Sequence, residues 1–95
     1  MYRISHRVYQ SLQEEPESFI LRKLKKNDGF YDPDTEEIHI DYRGEILPTL
    51  IHECLHKWFP DRTEKWVYGQ ESLIVNNLTP KQAKNLLRKF LSVVA

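Results

Sequence analysis

Two histidines four residues apart, with a glutamate directly after the first, are the residues of this chain best suited to chemistry. They are His52, Glu53 and His56, in the stretch TLIHECLHKW. On an α-helix, positions i and i+4 share one face, so both imidazoles can bind one metal ion. Glu53 is rotated by about 100° from His52 and borders that face, where it can reach a metal-bound water. The H-E-x-x-H pattern therefore predicts two zinc ligands and a general base.

The alternative is that both histidines are ordinary polar residues of a helix. Their neighbours Ile51, Cys54 and Leu55 are apolar, which indicates a segment buried on most sides. Polar groups in such a segment need partners, and this favours the zinc site. Cys54 itself is offset from the metal face and is interpreted as a small buried hydrophobe, with no role as a ligand.

A catalytic zinc site uses three protein ligands and keeps one position open for water. No histidine follows His56 in the sequence, so the third ligand is expected to be a carboxylate of the next helix. Glu71 is preferred because it interrupts the apolar face of that helix, where an unpaired carboxylate is costly. Glu64 lies on the same face seven residues earlier and is the alternative, although a helix-capping role already accounts for it.

Length and composition limit the classes of protein to which the chain can belong. Its 95 residues form one small domain, 1–95, and its 14 basic and 14 acidic residues give a formal net charge of zero. This balance gives no support to a nucleic-acid or membrane partner. A single cysteine excludes an internal disulfide framework, and no apolar run is long enough for a membrane helix. We expect a soluble, cytoplasmic protein.

Hydrophobic periodicity and turn residues predict the elements that position the motif. Three helices are expected from the motif onward, and the strands fall in the first half, which is the α+β class with a short three-stranded sheet packed on helices. The predicted order is β-α-ββ-α-α-α. Its elements are a strand within 3–10, a helix within 14–26, a hairpin at 30–41, and helices at 46–58, at 62–76 and from 80 onward.

Two further features of the helices have a structural and a functional interpretation. Tyr68 is a candidate oxyanion donor above a cleft, but a tyrosine with its hydroxyl in water is the preferred interpretation. The last helix carries a basic side, which is interpreted as a solvated face rather than a nucleic-acid site because no aromatic residues are interleaved with the cations. These cations are Lys81, Lys84, Arg88 and Lys89.

The segment from Ile38 to Ile74, with its strand IHID, the motif TLIHECLH, the turn FPDRT and a glutamate on the following helix, resembles the gluzincin metallopeptidases. The short chain is most similar to their minimal single-domain members, the minigluzincins. The resemblance implies a small zincin-like α+β domain that binds Zn²⁺ and hydrolyses peptide bonds. The attacking group would be a zinc-bound water activated by Glu53.

The resemblance also implies how substrate is held and how activity is controlled. The strand before the motif helix would form the edge of the active-site cleft and pair with an extended peptide or unfolded protein through Ile38, His39 and Ile40. Some minimal members are latent, held inactive by terminal segments or by self-association. Within residues 1–95 we expect no counterpart of the downstream subdomain of larger gluzincins.

The competing interpretation is a catalytically inactive, zincin-like protein-binding module. In that case a metal is structural or absent, and the scaffold serves contact with other proteins. Glu53 distinguishes the two hypotheses, since a purely structural metal site has no use for this carboxylate. Its presence favours catalysis.

Overall fold

Four helices and a three-stranded sheet make up the part of the chain that the computed structural model describes, residues 4–94. The predicted α+β class is confirmed. Residue 3, where the predicted first strand begins, lies outside the described residues. The elements are α1 (Ile4–Glu14), a short 3₁₀ turn (Pro16–Ser18), β1 (Phe19–Arg22), β2 (Gly29–Asp32), β3 (Glu37–Asp41), α2 (Ile46–Trp58), α3 (Glu64–Asn77) and α4 (Pro80–Val93).

The second half of the chain follows the sequence prediction closely. The motif helix spans 46–58 as predicted, and α4 begins after Thr79, whose side chain and that of Gln82 form a capping box. The predicted hairpin is also confirmed, because β2 pairs antiparallel with β3. No helix between residues 4 and 94 has the length and apolar character needed to cross a bilayer.

The prediction is wrong for the first quarter of the chain, where helix and strand are exchanged. The segment expected as a strand is α1, which buries Val8 and Leu12 at helical spacing. The segment expected as a helix is the 3₁₀ turn followed by β1, where Phe19 is buried and pairs with Ile38 of β3. Local signals at Pro16 and the charged flanks favoured a helix, and the parallel pairing with β3 overrides them.

The order of strands in the sheet is β1-β3-β2. Strand β3 is therefore central, with β1 parallel on one side and β2 antiparallel on the other. This corrects the expectation that Ile38 to Asp41 form an edge strand, because the main-chain groups of β3 are already used on both sides. Strand β2, the first strand of the hairpin, lies at one edge of the sheet.

A single apolar core lies between the sheet and the helices. Helix α2 packs on both β2 and β3, α3 packs on α2, and α1 packs on α4. Residues from six of the seven regular elements contribute buried side chains, so the core joins the motif helix to the rest of the fold. The core cluster is Val8, Leu12, Phe19, Ile38, Ile40, Leu50, Ile51, Cys54, Leu55, Val67, Leu86 and Phe90.

Close packing of β2 on α2 depends on the absence of a side chain at Gly29. A Cβ at this position would lie 2.6 Å from Cγ2 of Thr49 and 2.9 Å from the carbonyl oxygen of His39. Because the second of these atoms is backbone of β3 and the first lies on α2, β2 would have to shift relative to both. Gly29 thus sets the distance between β2 and the helix that carries the motif.

We expect Gly29→Ala to destabilise the fold by about 1–3 kcal/mol, because the added methyl overpacks this contact. The matched control is Gly69→Ala in α3, where a Cβ would meet nothing within 4 Å. There, alanine should stabilise the helix by about 1 kcal/mol. Urea unfolding of both variants checks the prediction, and equal stabilities of Gly29→Ala and the unsubstituted chain would contradict it.

A hydrogen-bonded clasp fixes the loop between β1 and β2 to the end of β3. The Asp41 carboxylate, which is buried, accepts hydrogen bonds from the Leu24 N–H at 2.9 Å and from the Arg43 N–H at 2.8 Å. The Arg43 guanidinium pairs with the same carboxylate at 2.7 Å and also donates to the Leu24 carbonyl oxygen. These donors, the Arg43 side chain first among them, hold the pKa of Asp41 well below its usual range.

Asp41→Asn is expected to lower the urea midpoint at pH 7, because the amide cannot reproduce these charge-assisted bonds. The pKa of Asp41 is lower in the folded chain than in the unfolded chain, so the ionised carboxylate stabilises the fold fully above the unfolded pKa of about 3.9. This stabilisation is lost as pH falls through that value towards the folded pKa. The deficit of the variant should therefore shrink between about pH 5 and pH 3. Exposed Asp61→Asn is the control, and a deficit independent of pH would contradict the prediction.

Candidate metal centre

Helix α2 places the two histidines of the motif on its face towards α3. The helix buries Leu50, Ile51, Cys54 and Leu55 in the core on its other sides. His52 is 8 % exposed, and its ring meets that of His56 edge to face, with centroids 4.8 Å apart. The i, i+4 spacing thus brings the two imidazoles together, as predicted.

The first turn of α3 completes a cluster of three possible metal ligands. The Nε2 atoms of His52 and His56 lie 3.2 Å apart. Oε1 of Glu64 lies 2.6 Å from the first and 3.0 Å from the second. Two imidazole nitrogens and one carboxylate oxygen of this group can hold a metal ion.

Two sides of this triangle, 3.2 Å and 3.0 Å, approach the separation of ligand atoms around a tetrahedral zinc ion, and the third, 2.6 Å, is a hydrogen-bond distance. Ligand bonds of 2.0–2.2 Å in a tetrahedron place neighbouring ligand atoms about 3.3 Å apart, close to the separation of the two nitrogens. A carboxylate oxygen and a lone pair on nitrogen repel each other at hydrogen-bond distance unless a proton or a cation lies between them. A proton can bridge one side of the triangle, whereas a cation attracts all three atoms at once.

Glu71 occupies a different place from the one the sequence suggested. Its Oε1 lies 2.8 Å from Nδ1 of His52, on the opposite side of the ring from Glu64. An ionised carboxylate only accepts hydrogen bonds, so Nδ1 carries the proton and donates it. This orients the His52 ring with Nδ1 as donor, so that Nε2 would offer its lone pair to a metal ion that replaced its hydrogen bond to Glu64, which is how outer carboxylates orient metal-binding histidines.

The structure therefore reverses the preference for Glu71 over Glu64 as the third ligand. Glu64 had been set aside for a capping role, but the N-cap of α3 is Thr63, whose side chain accepts a hydrogen bond from the Trp66 N–H. The Glu64 carboxylate is thus free to face the histidines. The inference that Glu71 needs a polar partner is correct, since its partner is His52.

Electrostatics distinguish the ligand carboxylate from the neighbouring glutamate of the motif. Hydrogen bonding to His56 lowers the pKa of Glu64, so this side chain is held in the charged form that binds metals. Burial raises the pKa of Glu53, and the charges of His52 and His56 oppose this shift. Glu53 is 7 % exposed and borders the cleft, so it is positioned as a carboxylate of increased basicity beside the three ligands.

The metal-ligand group lies in the wall of a cleft of about 760 Å³. One wall is α2 and the first two turns of α3, and the other is the segment from Lys26 through β2. The Tyr31 backbone of β2 contacts the Glu53 carboxylate. Lining residues include Gly29, Phe30, Tyr31, Thr49, His52, Glu53, His56, Glu64, Tyr68 and Glu71.

No protein-family model, no curated protein and no solved structure matches this chain.

The residues expected to hold substrate, Ile38, His39 and Ile40, do not line the cleft. Ile38 and Ile40 are fully buried in the core, and His39 bonds to Arg22 and stacks on Phe30. Strand β2, formed by the first segment of the predicted hairpin, lines the cleft instead. The misplacement followed from assigning β1 as a helix, because β1 is what makes β3 central.

Two other residues of the motif region have the surroundings that their structural interpretation predicts. Cys54 is completely buried, and burial raises the pKa of its thiol to about 12, so it stays a protonated hydrophobe. Tyr68 is 58 % exposed and packs its ring against His52, with centroids 4.6 Å apart. It covers one side of the His52 ring and lines the cleft.

Proposed function

We propose that this chain is a zinc-dependent metallopeptidase of the gluzincin type, which hydrolyses bonds in peptides or unfolded proteins. One observation carries the proposal: Nε2 of His52, Nε2 of His56 and Oε1 of Glu64 converge on one point, next to a buried glutamate and open to a cleft. Three protein ligands and an accessible fourth position are typical of catalytic zinc, whereas structural zinc has four protein ligands.

Each residue of the site would then have a role in the reaction. His52, His56 and Glu64 would hold the ion, and Glu71 would keep the His52 ring in the correct tautomer. Zinc bound there would acidify a water molecule and polarise the peptide carbonyl. The Glu53 carboxylate would accept a proton from the attacking water and donate it to the leaving amine nitrogen.

The burial of Glu53 supports its proposed role as the general base. A general base works best when its pKa lies near the working pH, and removal from water moves a carboxyl group in that direction. The pKa of Glu53 is raised by burial, as a base in a metallopeptidase requires. In a purely structural metal site this cost of burial would serve no purpose.

The position of β2 supports binding of an extended substrate. As an edge strand of the described sheet it has one unpaired side, and its residues line the cleft opposite the metal-ligand group. A peptide paired with this side would gain main-chain hydrogen bonds and lie across the cleft. Substrate pairing, which the resemblance assigned to β3, is therefore proposed for β2.

Cleavage of an unfolded protein by the zinc-loaded chain tests the proposal. We expect a labelled casein to be hydrolysed, hydrolysis to stop when a chelator removes the metal, and zinc to restore it. Each oligomeric fraction from gel filtration should be assayed separately, because latency through self-association would silence some fractions. A zinc-loaded chain that cleaves nothing in any fraction would favour the inactive binding module.

A further inference from the structure

The loop from β1 to β2 carries a run of basic residues that begins at the end of β1 and reaches the cleft at Lys26. Four of the five residues from 22 to 26 are Arg or Lys, in a chain whose formal net charge is zero. We call Arg22, Lys23, Lys25 and Lys26 the basic run. All four side chains are exposed, and the residue between them, Leu24, is buried.

The three lysines of the basic run form no ion pair among the described residues, whereas the nearby Arg43 does. Arg22 donates a hydrogen bond to Nδ1 of His39 at 3.0 Å, and Arg43 is paired with Asp41. Lys23, Lys25 and Lys26 therefore keep their charges uncompensated by contacts within the fold. Like charges this close together repel, and an anionic partner would relieve that repulsion.

The backbone of the basic run is held in place from both sides. The buried Leu24 side chain anchors it, and the Leu24 N–H and carbonyl oxygen are both bound by the clasp of Asp41 and Arg43. The lysines thus project from a fixed segment at a fixed place beside the cleft. A preorganised set of charges loses less entropy on binding than charges on a mobile loop.

The basic run meets the cleft at its last residue, since Lys26 lines the wall that continues into β2. Gly29 contacts Thr49, which lies one helical turn, about 6 Å, before Glu53. The three residues from Gly29 back to Lys26 add at most about 10 Å. At about 3.3 Å per residue, an extended peptide would reach the run three to five positions from the bond at Glu53.

We infer that the basic run binds acidic residues of an extended peptide that occupies the cleft. The inference rests on the proposed peptidase function and names its substrate class: peptides with a cluster of acidic residues to one side of the cleaved bond. Asp28 and Glu45 line the cleft beyond Lys26. Their carboxylates disfavour acidic side chains of a peptide inside the cleft. We therefore expect the acidic residues of the peptide outside the cleft, beside Lys23 and Lys25.

A peptide fits these observations better than an oligonucleotide. The basic run continues into a cleft with an unpaired strand edge, which suits main-chain pairing. Phe30 of β2 stacks one face of its ring on His39, with centroids 4.5 Å apart and an angle of 6°, so that face is closed to a base. Tyr42 is exposed beside Arg43, and an oligonucleotide is therefore included in the test.

Fluorescence anisotropy of labelled decapeptides on the zinc-loaded Glu53→Gln chain tests the inference without requiring turnover. The peptides share a neutral centre and carry three aspartates or three lysines in either arm. We expect one of the aspartate peptides to bind about 10-fold more tightly than its lysine counterpart at low salt, with the difference largely lost at about 1 M salt. Lys23→Glu/Lys25→Glu should abolish that preference, and Lys81→Glu/Lys84→Glu on α4 should retain it.

Equal affinity for aspartate and lysine peptides, or a preference that survives Lys23→Glu/Lys25→Glu, would overturn the inference. A single-stranded oligonucleotide that binds through the same lysines more tightly than either aspartate peptide would replace it with nucleic-acid binding. Because the readout is binding, these outcomes are separate from a failure of the proposed function, which is recognised by a lack of cleavage of every substrate.

Discussion

Glu53→Gln is expected to reduce kcat/KM for peptide hydrolysis by about 10²–10⁴-fold, the usual contribution of a general acid–base group. The amide has the same shape but cannot accept a proton from the attacking water. Because Glu53 is outside the group of metal ligands, zinc affinity should change little. Steady-state hydrolysis of a fluorogenic peptide, together with zinc titration of the same preparation, checks both statements.

The control for Glu53→Gln is Glu45→Gln, which removes an exposed carboxylate from the same cleft. Its activity should match that of the unsubstituted chain. A Glu53→Gln variant with more than about a tenth of the original kcat/KM would contradict the role of Glu53 as the general base. Loss of zinc from this variant would instead make Glu53 a ligand.

Glu64→Gln and Glu71→Gln are expected to lower zinc affinity to different extents. Removing the charged oxygen of Glu64 takes away one of three ligands, so the loss should exceed 100-fold. Glu71 acts through the tautomer of His52, and its loss should cost 10–100-fold, as is typical of groups that orient ligands. Competition with a chromophoric chelator measures both values, and circular dichroism confirms that each variant is folded.

The order of these two effects is the informative result. A larger loss with Glu71→Gln would restore the preference that the sequence alone suggested. It would require the His52 ring to rotate so that Nδ1 faces the ion. Equal and small losses would indicate that His52 and His56 bind the metal without a carboxylate from α3.

The motif helix could be predicted from the sequence because its signals are local. Pro48 in the first turn and the apolar stripe through Leu50, Cys54 and Leu55 lie within one segment, and the helix has the predicted bounds. The positions of His52, Glu53 and His56 relative to one another follow directly from helical geometry.

The choice between Glu64 and Glu71 as the third candidate ligand depends on where α3 begins. The expected capping role of Glu64 places the N-cap at Asp61, whereas the N-cap in the structure is Thr63 and Glu64 faces the histidines. A shift of two residues in the N-cap therefore decides which carboxylate approaches both imidazoles, and the sequence pattern does not determine it.

The order of the strands could not be predicted for a non-local reason. The helix signals lie at Pro16 and in the charged flanks of Phe19–Arg22, and the pairing of this segment with β3 makes it a strand. That pairing decides which strand is central and which is at the edge. Sheet order depends on contacts between segments far apart in the chain, so periodicity within each segment does not reveal it.

A crystal structure of the zinc-loaded chain, with anomalous data collected at the zinc edge, tests the central claim most directly. The account predicts one anomalous peak within about 2.0–2.2 Å of His52 Nε2, His56 Nε2 and Glu64 Oε1, with a fourth position open to the cleft beside Glu53. A peak on Nδ1 of His52 and Glu71, a fourth protein ligand, or no zinc at the motif would contradict it.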